Sequence, residues 1–189
     1  MASTQSLQSL HPGNFALVMS TGIISIGLRA LHFDALAHIF QLIALAAWCV
    51  LILLSCIRVT LYGRAVLIDL LNPRMVFSYF TLVAATNIVG LLLHSAGYPL
   101  LAIICWATAF AAWCLLLYLA FSVLTFLSHE NNVNIMHGGW LITIVATQSL
   151  VLLGARIAPD LGQYASYMMV EVHMLWGLGL AFYGIFVTL

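Results

Sequence analysis

Six runs of apolar residues, each long enough to cross a lipid bilayer, dominate this sequence. A membrane-spanning helix needs about 20 mostly apolar residues, and the runs lie at about 14–31, 38–57, 75–94, 99–127, 139–157 and 164–189. None of them alternates apolar and polar residues as the strands of a membrane β-barrel do. Only 5% of the residues are charged, whereas a soluble domain carries roughly 25%. The sequence therefore predicts an all-α fold, a polytopic transmembrane helix bundle.

The six runs follow one another closely enough to form a single transmembrane domain over residues 1–189. The last run stops at Phe186–Leu189 without the polar or basic residues that normally flank the end of a membrane helix. We therefore expect the domain to be incomplete at its C-terminus.

A short pattern recurs in the first, third and fifth runs. Val18–Gly22 (VMSTG) is followed by Val83–Asn87 (VAATN) and Ile144–Gln148 (IVATQ). The period of about 60–65 residues is too long for the soluble helical repeats and fits a pair of membrane helices with their loops. The pattern predicts three successive helical hairpins. The alternative is chance, since small residues and threonine are common in membrane helices.

Polar residues are distributed unevenly between the odd and even runs. Among the six runs, the first, third and fifth hold most of the Thr, Asn and Gly residues and Gln148, whereas the second and fourth are rich in Leu, Ile, Ala, Cys and Trp and carry few polar residues. Lipid accepts leucine freely and penalises an unpaired amide. We therefore expect the odd helices to be inner and the even helices to be outer. The sixth run departs from this rule because it carries Glu171 and His173.

Small and polar residues in the odd runs share helix faces. Helical spacing aligns Gly22 with Ser25 and Arg29 on the first helix, and Asn87 with Gly90 on the third. Such a face is typical either of a groove for a solute or of tight packing between helices.

The five arginines predict an orientation in the membrane. The connection between the second and third runs holds Arg58, Arg64 and Arg74, while Arg29 and Arg156 lie at the opposite ends of their runs. Positive charge is enriched in cytoplasmic loops. This predicts an integral protein of the plasma (inner) membrane with a cytoplasmic N-terminus.

The remaining ionisable residues give one further hypothesis and exclude several classes. An acid within a membrane span is usually paired or functional, so Glu171 and His173 are candidates for proton coupling; an interfacial position would leave both without that role. No span holds two facing histidines for a haem, and no hydrolase, metalloprotease or P-loop motif is present. We expect no catalytic residues, no metal, no cofactor and, with zero formal net charge, no nucleic acid partner.

Three stretches resemble a known family. Pro12–Gly22 resembles the opening helix of the tellurite-resistance/dicarboxylate transporter family, which includes the plant slow anion channels. Asp69–Pro73 leading into Phe77–Phe80, and Trp140–Gln148, are similar to that family's third and fifth helices. The resemblance implies ten helices in five hairpins, of which this chain holds the N-terminal six. It also implies a pore ringed by odd helices, a homotrimer, and small anions as solutes: chloride, nitrate, malate and other C4-dicarboxylates, sulfite, or tellurite-related anions.

The resemblance and the helix faces together predict membrane transport of small anions, in a lipid bilayer, through a pore lined by the odd-numbered helices. Arg29 and Arg156 would attract anions to its mouth. The alternatives are a proton-coupled transporter that uses Glu171 and His173, or a truncated membrane remnant that does not transport. The candidate pore-lining residues are Phe15, Thr21, Gly22, Ser25, Phe80, Thr86, Asn87, Gly90, Thr147 and Gln148.

Overall fold

A computed structural model describes residues 10–73, 75–127 and 138–188, and every regular element in these ranges is helical. Arg74 of the predicted cytoplasmic loop lies outside them. The six main helices are α1 (Ala16–Ala30), α2 (Asp34–Leu70), α3 (Phe80–Ser95), α4 (Pro99–Leu127), α5 (Leu141–Ile157) and α6 (Ala165–Thr188). This confirms the predicted all-α class.

Five helical stretches in the described ranges are long and apolar enough to cross a membrane. The fifth, Leu141–Thr188, contains both α5 and α6, joined by the short 3-10 helix Ala158–Tyr164. Close contacts join Gly154 of α5 to Val172 of α6, and Gln148 to Gly179. The two helices are therefore antiparallel, and α5 and α6 form a hairpin.

The helices pack as three consecutive hairpins around α3. Helix α1 packs mainly on α2, α3 on α4, and α5 on α6, while α3 also contacts α1 on one side and α5 on the other. About 72% of the most apolar window of α3 is buried, against 11% of that of α2. The predicted division is therefore clear for α3, the middle inner helix, and for α2, an outer helix, whereas the window of α1 (22% buried) is no more buried than that of α4 (28%).

Helices α1 and α3 run parallel and nearly in register. Near their N-termini the hydroxyl of Thr81 donates to the carbonyl of Pro12 over 2.8 Å. Near their C-termini the guanidinium of Arg29 donates to Ser95 Oγ over 2.9 Å. The partners of the first bond are 69 residues apart and those of the second are 66 apart, slightly more than the predicted repeat of about 60–65 residues.

Helices α3 and α5 share the same parallel arrangement. The amide of Asn87 donates to Ser149 Oγ over 2.9 Å in the buried middle of the contact. At the end of α3, His94 Nε2 lies 2.7 Å from Asp160 Oδ2, just beyond α5. All three inner helices therefore point in one direction, with their C-termini at the same end of the bundle.

Glycines allow the inner helices to approach one another. A Cβ atom built on Gly22 would lie 2.3 Å from Ile88 Cγ2, and one on Gly90 would lie 2.4 Å from Leu153 Cδ2. Side chains at these two positions would push the inner helices apart, whereas glycine lets side chains of the neighbouring helix contact the backbone. Close backbone approach at small residues is the usual way in which membrane helices gain packing energy.

Indole hydrogen bonds tie the outer helices to the inner helices of the following hairpin. Trp48 Nε1 on α2 donates to Thr86 Oγ1 on α3 over 3.2 Å. Trp113 Nε1 on α4 donates to Thr147 Oγ1 on α5 over 3.0 Å. These bonds place one outer helix against each junction between two inner helices.

Helix α2 extends well beyond the predicted second span. It continues to Leu70 with non-helical dihedral angles at Tyr62, so the short helix expected around residues 64–71 is joined to the span through a kink. The side chains of Arg58 and Asp69 bridge the kink with an Nη2–Oδ2 distance of 2.5 Å. Arg58 is only 6% exposed, and its ion pair holds the two segments together.

The α1–α3 contact predicts unequal effects of two glycine substitutions on the same helix. Gly22→Ala places a Cβ against Ile88, whose β-branched side chain has little rotamer freedom in a helix. It should destabilise the protein by about 1–3 kcal/mol, as overpacking does in other cores. Gly27→Ala meets nothing within 4 Å and should be neutral or slightly stabilising. Thermal unfolding in detergent measures both, and equal effects would contradict the close contact.

Candidate functional site

A cavity of about 590 Å³ opens where the three inner helices end. We call this the Arg29 end of the bundle. All of its lining side chains belong to α1, α3 and α5, and none to an outer helix. The lining is mostly apolar with two guanidinium groups: Ile23, Ser25, Ile26, Arg29, Ala30, Ile88, Leu91, Leu92, Ser95, Leu152 and Arg156.

Arg29 is held in a fixed position at the cavity wall. Its Nη1 donates to Ser95 Oγ over 2.9 Å and its Nη2 donates to Gln41 Oε1 over 2.7 Å. Both acceptors are neutral, so the guanidinium keeps its full charge. Its orientation is set by α3 on one side and α2 on the other.

Arg156 supplies the second positive charge from the last turn of α5. Its side chain is exposed, and the ion pairs found among the described residues join Arg58 to Asp69 and His94 to Asp160. Asp160, the acid nearest to Arg156 in sequence, is thus already paired with His94. No carboxylate lines the cavity, so its two charged side chains are both positive.

Sequence reasoning found the two arginines of the cavity and missed the groups that orient them. Gln41 and Ser95, and the His94–Asp160 pair, were not predicted to act at this site. The repeat itself contained a signal, since Arg29 and His94 follow Thr21 and Thr86 at the same spacing. Parallel helices in register bring such positions to one depth.

Two predicted pore-lining glycines and a serine lie in helix contacts. Gly22 and Gly90 are buried against Ile88 and Leu153. Ser25 is fully buried and its hydroxyl donates to the carbonyl of Ala37 over 2.8 Å, although the residue also borders the cavity. These three residues therefore contribute to packing between helices.

The predicted pore-lining threonines use their hydroxyl protons within their own helices. Thr21 donates to the carbonyl of Leu17 over 2.7 Å, and Thr86 and Thr147 each donate to the carbonyl four residues earlier over 2.8 Å. Thr147 is fully buried and Thr86 is 7% exposed, whereas Thr21 is half-buried. Of the three, Thr21 keeps the most surface for other contacts.

The two predicted amides have different surroundings. Asn87 is fully buried between α3 and α5, and its Oδ1 has no partner among the described residues. Gln148 is half-buried, and its Nε2 donates to the carbonyl of Trp176 over 3.4 Å, beside Gly179. Gln148 is therefore turned towards α6.

The two predicted aromatics lie in the apolar core. Phe15 is 4% exposed and packs with residues of α3 and α5, whereas Phe80 is fully buried and stacks on Phe77 with a centroid distance of 6.3 Å. This geometry favours a packing role for both aromatics.

Glu171 and His173 do not form a pair with each other. Glu171 is half-buried in α6, close to the level of Gly154, and belongs to neither of the ion pairs in the described ranges. His173 is exposed and its Nδ1 lies 2.6 Å from the carbonyl oxygen of Met169. The described residues also contain no group of His, Cys, Asp and Glu side chains suited to a metal ion.

Comparison with known protein families identifies one match. The family model described as SLAC1, voltage-dependent anion channel, matches residues 9–189. No curated protein and no solved structure matches the chain. The match covers nearly the whole sequence, including all six helices and the cavity at the Arg29 end.

The charge of the cavity predicts the reactivity of a cysteine placed in its wall. In a chain without Cys49, Cys56, Cys105 and Cys114, Leu152→Cys should react faster with an anionic methanethiosulfonate than with a cationic one, because the two guanidinium groups concentrate anions. Replacing Arg29 and Arg156 by Gln should reduce the ratio of the two rates several-fold. The rates are measured by quenching the labelling reaction at a series of times and determining the labelled fraction by mass spectrometry. An unchanged ratio would show that these arginines do not set the potential.

Proposed function

Because the chain belongs to the family of voltage-dependent anion channels, we propose that its inner helices line a path for small anions that enters at the Arg29 end. Membership in the family supports transport of anions across a membrane by an integral membrane protein, and members of the family are channels or transporters rather than enzymes. We further propose the course of the path through the bundle, the anions that it carries and its orientation in the membrane.

The observation that carries the proposal is the composition of the cavity wall. Side chains of α1, α3 and α5 form all of it, and its charged groups are Arg29 and Arg156. A path lined by odd helices requires such a meeting of inner helices, and a site for anions requires positive charge without a competing carboxylate. Both conditions are met at this end of the bundle.

The bonding state of the polar residues suggests how the anion would be held. Arg29 is committed to two neutral acceptors, and the hydroxyl of Thr21 is committed to Leu17. An anion would therefore be attracted mainly by charge at a distance, over a mostly apolar wall. Conduction requires that binding be weak enough for release, and a site without a tight cage satisfies that condition.

The solute class follows from the resemblance and the charge together. We propose chloride, nitrate, sulfite, C4-dicarboxylates such as malate, and tellurite-related anions as candidates. A dicarboxylate carries two separated charges, and the cavity offers two separated guanidinium groups on α1 and α5. A volume of about 590 Å³ lies within the range of small-molecule sites.

The proposed setting is the plasma (inner) membrane, with the N-terminus in the cytoplasm and a homotrimeric assembly. Arg58 and Arg64 lie on the part of α2 near the start of α1, opposite to the cavity. Positive residues favour the cytoplasmic side, so the Arg29 end would face outwards. The homotrimer rests on the family resemblance.

Charge reversal at the cavity should reduce anion flux. Arg29→Glu in proteoliposomes is expected to lower the uptake of nitrate or malate by roughly tenfold, since the change in local potential lowers the anion concentration at the entrance. Arg29→Lys should retain most of the flux.

The matched control is Arg64→Glu, which makes the same charge change at an exposed residue of α2 away from the cavity. It should leave flux near the unsubstituted value. Equal flux for Arg29→Glu and the unsubstituted chain, with unaltered thermal stability, would remove Arg29 from the proposed entrance.

The second candidate function is proton-coupled transport through Glu171 and His173. This function is favoured by the half-buried carboxyl group of Glu171, which lies in a membrane helix and has no ion-pair partner among the described residues. A charged acid in the middle of a span costs about 2.5–3.5 kcal/mol on insertion scales. Glu171 lies in the half of α6 at the Arg29 end, about midway between the first residue and the middle of the helix, which reduces this cost.

An imposed pH gradient separates the two candidates. A channel should carry malate or nitrate at the same rate with and without the gradient at a fixed membrane potential. A coupled transporter should show accumulation driven by the gradient, and Glu171→Gln should abolish that accumulation. Fluorescent pH indicators and labelled anions in proteoliposomes measure both quantities. Flux that is indifferent to the gradient would eliminate coupling through Glu171.

A further inference from the structure

Gln41 is a buried polar residue on an outer helix that is otherwise mostly exposed. The buried residues of α2 are Ala37, Gln41, Ala44 and Arg58, and the spacing of the first three places them on one face of the helix. Ala37 and Ala44 are fully buried, and Gln41 is 7% exposed. An amide at such a contact needs a specific partner, because neither lipid nor an alanine side chain can satisfy it. That partner is Arg29, whose Nη2 donates to Gln41 Oε1 over 2.7 Å.

A second bond between the same two helices fixes this contact in place. The hydroxyl of Ser25 donates to the carbonyl of Ala37 over 2.8 Å. Ser25 precedes Arg29 by four residues and Ala37 precedes Gln41 by four, so the two bonded pairs are neighbours in the contact between α1 and α2. Gln41 does not line the cavity itself, whereas Arg29 does. Gln41 therefore contacts the cavity wall from behind.

The amide oxygen of Gln41 orients Arg29 without cancelling its charge. An amide carries a dipole but no net charge, and Ser95 Oγ, the other acceptor of Arg29, is neutral too. Glutamate has nearly the same shape as glutamine, but it would place a carboxylate at this hydrogen-bonding distance. A carboxylate beside a guanidinium stays ionised and would oppose most of the field that Arg29 exerts on the cavity. The choice of an amide at this position thus lets Arg29 act as a free charge rather than as one half of an ion pair.

The acids near this end of the bundle do not take over that role. Asp34, the nearest acid on α2, is exposed and belongs to neither of the ion pairs in the described ranges. Asp160 lies against His94. In the part of the chain that the structure describes, the hydrogen-bond acceptors of Arg29 are therefore neutral groups, and Gln41 is the buried one on the outer helix.

We infer that Gln41 is a specificity-determining residue of the anion path. It acts as a positioning residue, because it contacts Arg29 and not the anion: it holds the guanidinium at the cavity wall with a neutral acceptor and leaves the positive charge to act on the cavity. The inference rests on the proposed function, since it concerns the selectivity of the same entrance. It extends that function to an outer helix, because α2 contributes no side chain to the cavity wall.

The first test uses the Leu152→Cys chain without native cysteines and compares its reaction rates with an anionic and a cationic methanethiosulfonate. Gln41→Glu should lower the ratio of the two rates several-fold, to the value given by Arg29→Gln. Gln41→Met removes the acceptor and keeps the charge of Arg29, so its ratio should stay within about twofold of the unsubstituted value. Thr60→Glu adds a carboxylate at an exposed residue near the other end of α2 and should leave the ratio unchanged.

Thermal unfolding in detergent separates this role from a structural one. Gln41→Met deprives a guanidinium of an acceptor, whereas Gln41→Glu gives it a charged partner, so Gln41→Met should be the less stable variant. If Gln41 served only to pack α2 on α1, selectivity would follow stability and Gln41→Met would lose more of it. A specificity-determining role predicts the opposite order, with the more stable Gln41→Glu losing more selectivity.

Nitrate uptake into proteoliposomes gives the corresponding result for flux. Gln41→Glu should raise the nitrate concentration for half-maximal uptake several-fold and keep the maximal rate, because it lowers the local anion concentration and not the number of working entrances. Gln41→Met should change the half-maximal concentration less than Gln41→Glu does, and Thr60→Glu should not change it.

The outcomes distinguish a failure of this inference from a failure of the proposed function. A labelling ratio for Gln41→Glu equal to that of the unsubstituted chain would overturn the inference, and so would a lower ratio for Gln41→Met than for Gln41→Glu. If Arg29→Glu reduces flux and Gln41→Glu does not, the entrance stands and the role of Gln41 is wrong. If neither substitution alters flux, the entrance itself is wrong and Gln41 has no selectivity to determine.

Discussion

Hydrogen bonds between helices are the constraint on which the rest of this bundle depends, because lipid gives a polar group no other partner. The two indole bonds to Thr86 and Thr147 fix where each outer helix lies, and the Asn87–Ser149 bond fixes the register of α3 against α5. Each such bond is worth only about 0.6–1.7 kcal/mol in membranes. Their positions matter more than their strength, since a helix shifted by one turn would leave donor and acceptor unpaired.

The parallel register of the inner helices brings their C-termini together at one end of the bundle, where the cavity lies. Helices that start at one side of the bundle and have similar lengths must also finish together. Arg29 and Arg156 thus reach the same cavity from helices that are not adjacent in sequence. The same arrangement places Arg58 and the kink of α2 at the opposite end, so that the positive residues fall into two separate groups.

Much of the architecture could be predicted from the sequence, because membrane helices follow strict rules of length and polarity. The apolar runs predicted the positions of the helices, and the Thr, Asn and Gln residues in the odd runs indicated which helices lie inside. The repeat at Thr21, Thr86 and Thr147 predicted three hairpins. The partner of each polar side chain was harder to predict. A threonine that donates to its own helix and a threonine that faces a solute have the same local sequence, and the tertiary contact from Trp113 to Thr147 depends on rotation of α4.

The contact between Asn87 and Ser149 also has a consequence for biogenesis. The two residues are 62 positions apart, so at a synthesis rate of 5–20 residues per second roughly 3–12 s separate their emergence from the ribosome. The α3–α4 hairpin is complete before that interval ends, because its last helix finishes at Leu127, yet the amide of Asn87 still lacks this acceptor. The hairpin is therefore least stable in lipid while α5 is still being synthesised. The insertion machinery would have to keep α3 away from lipid until α5 packs against it.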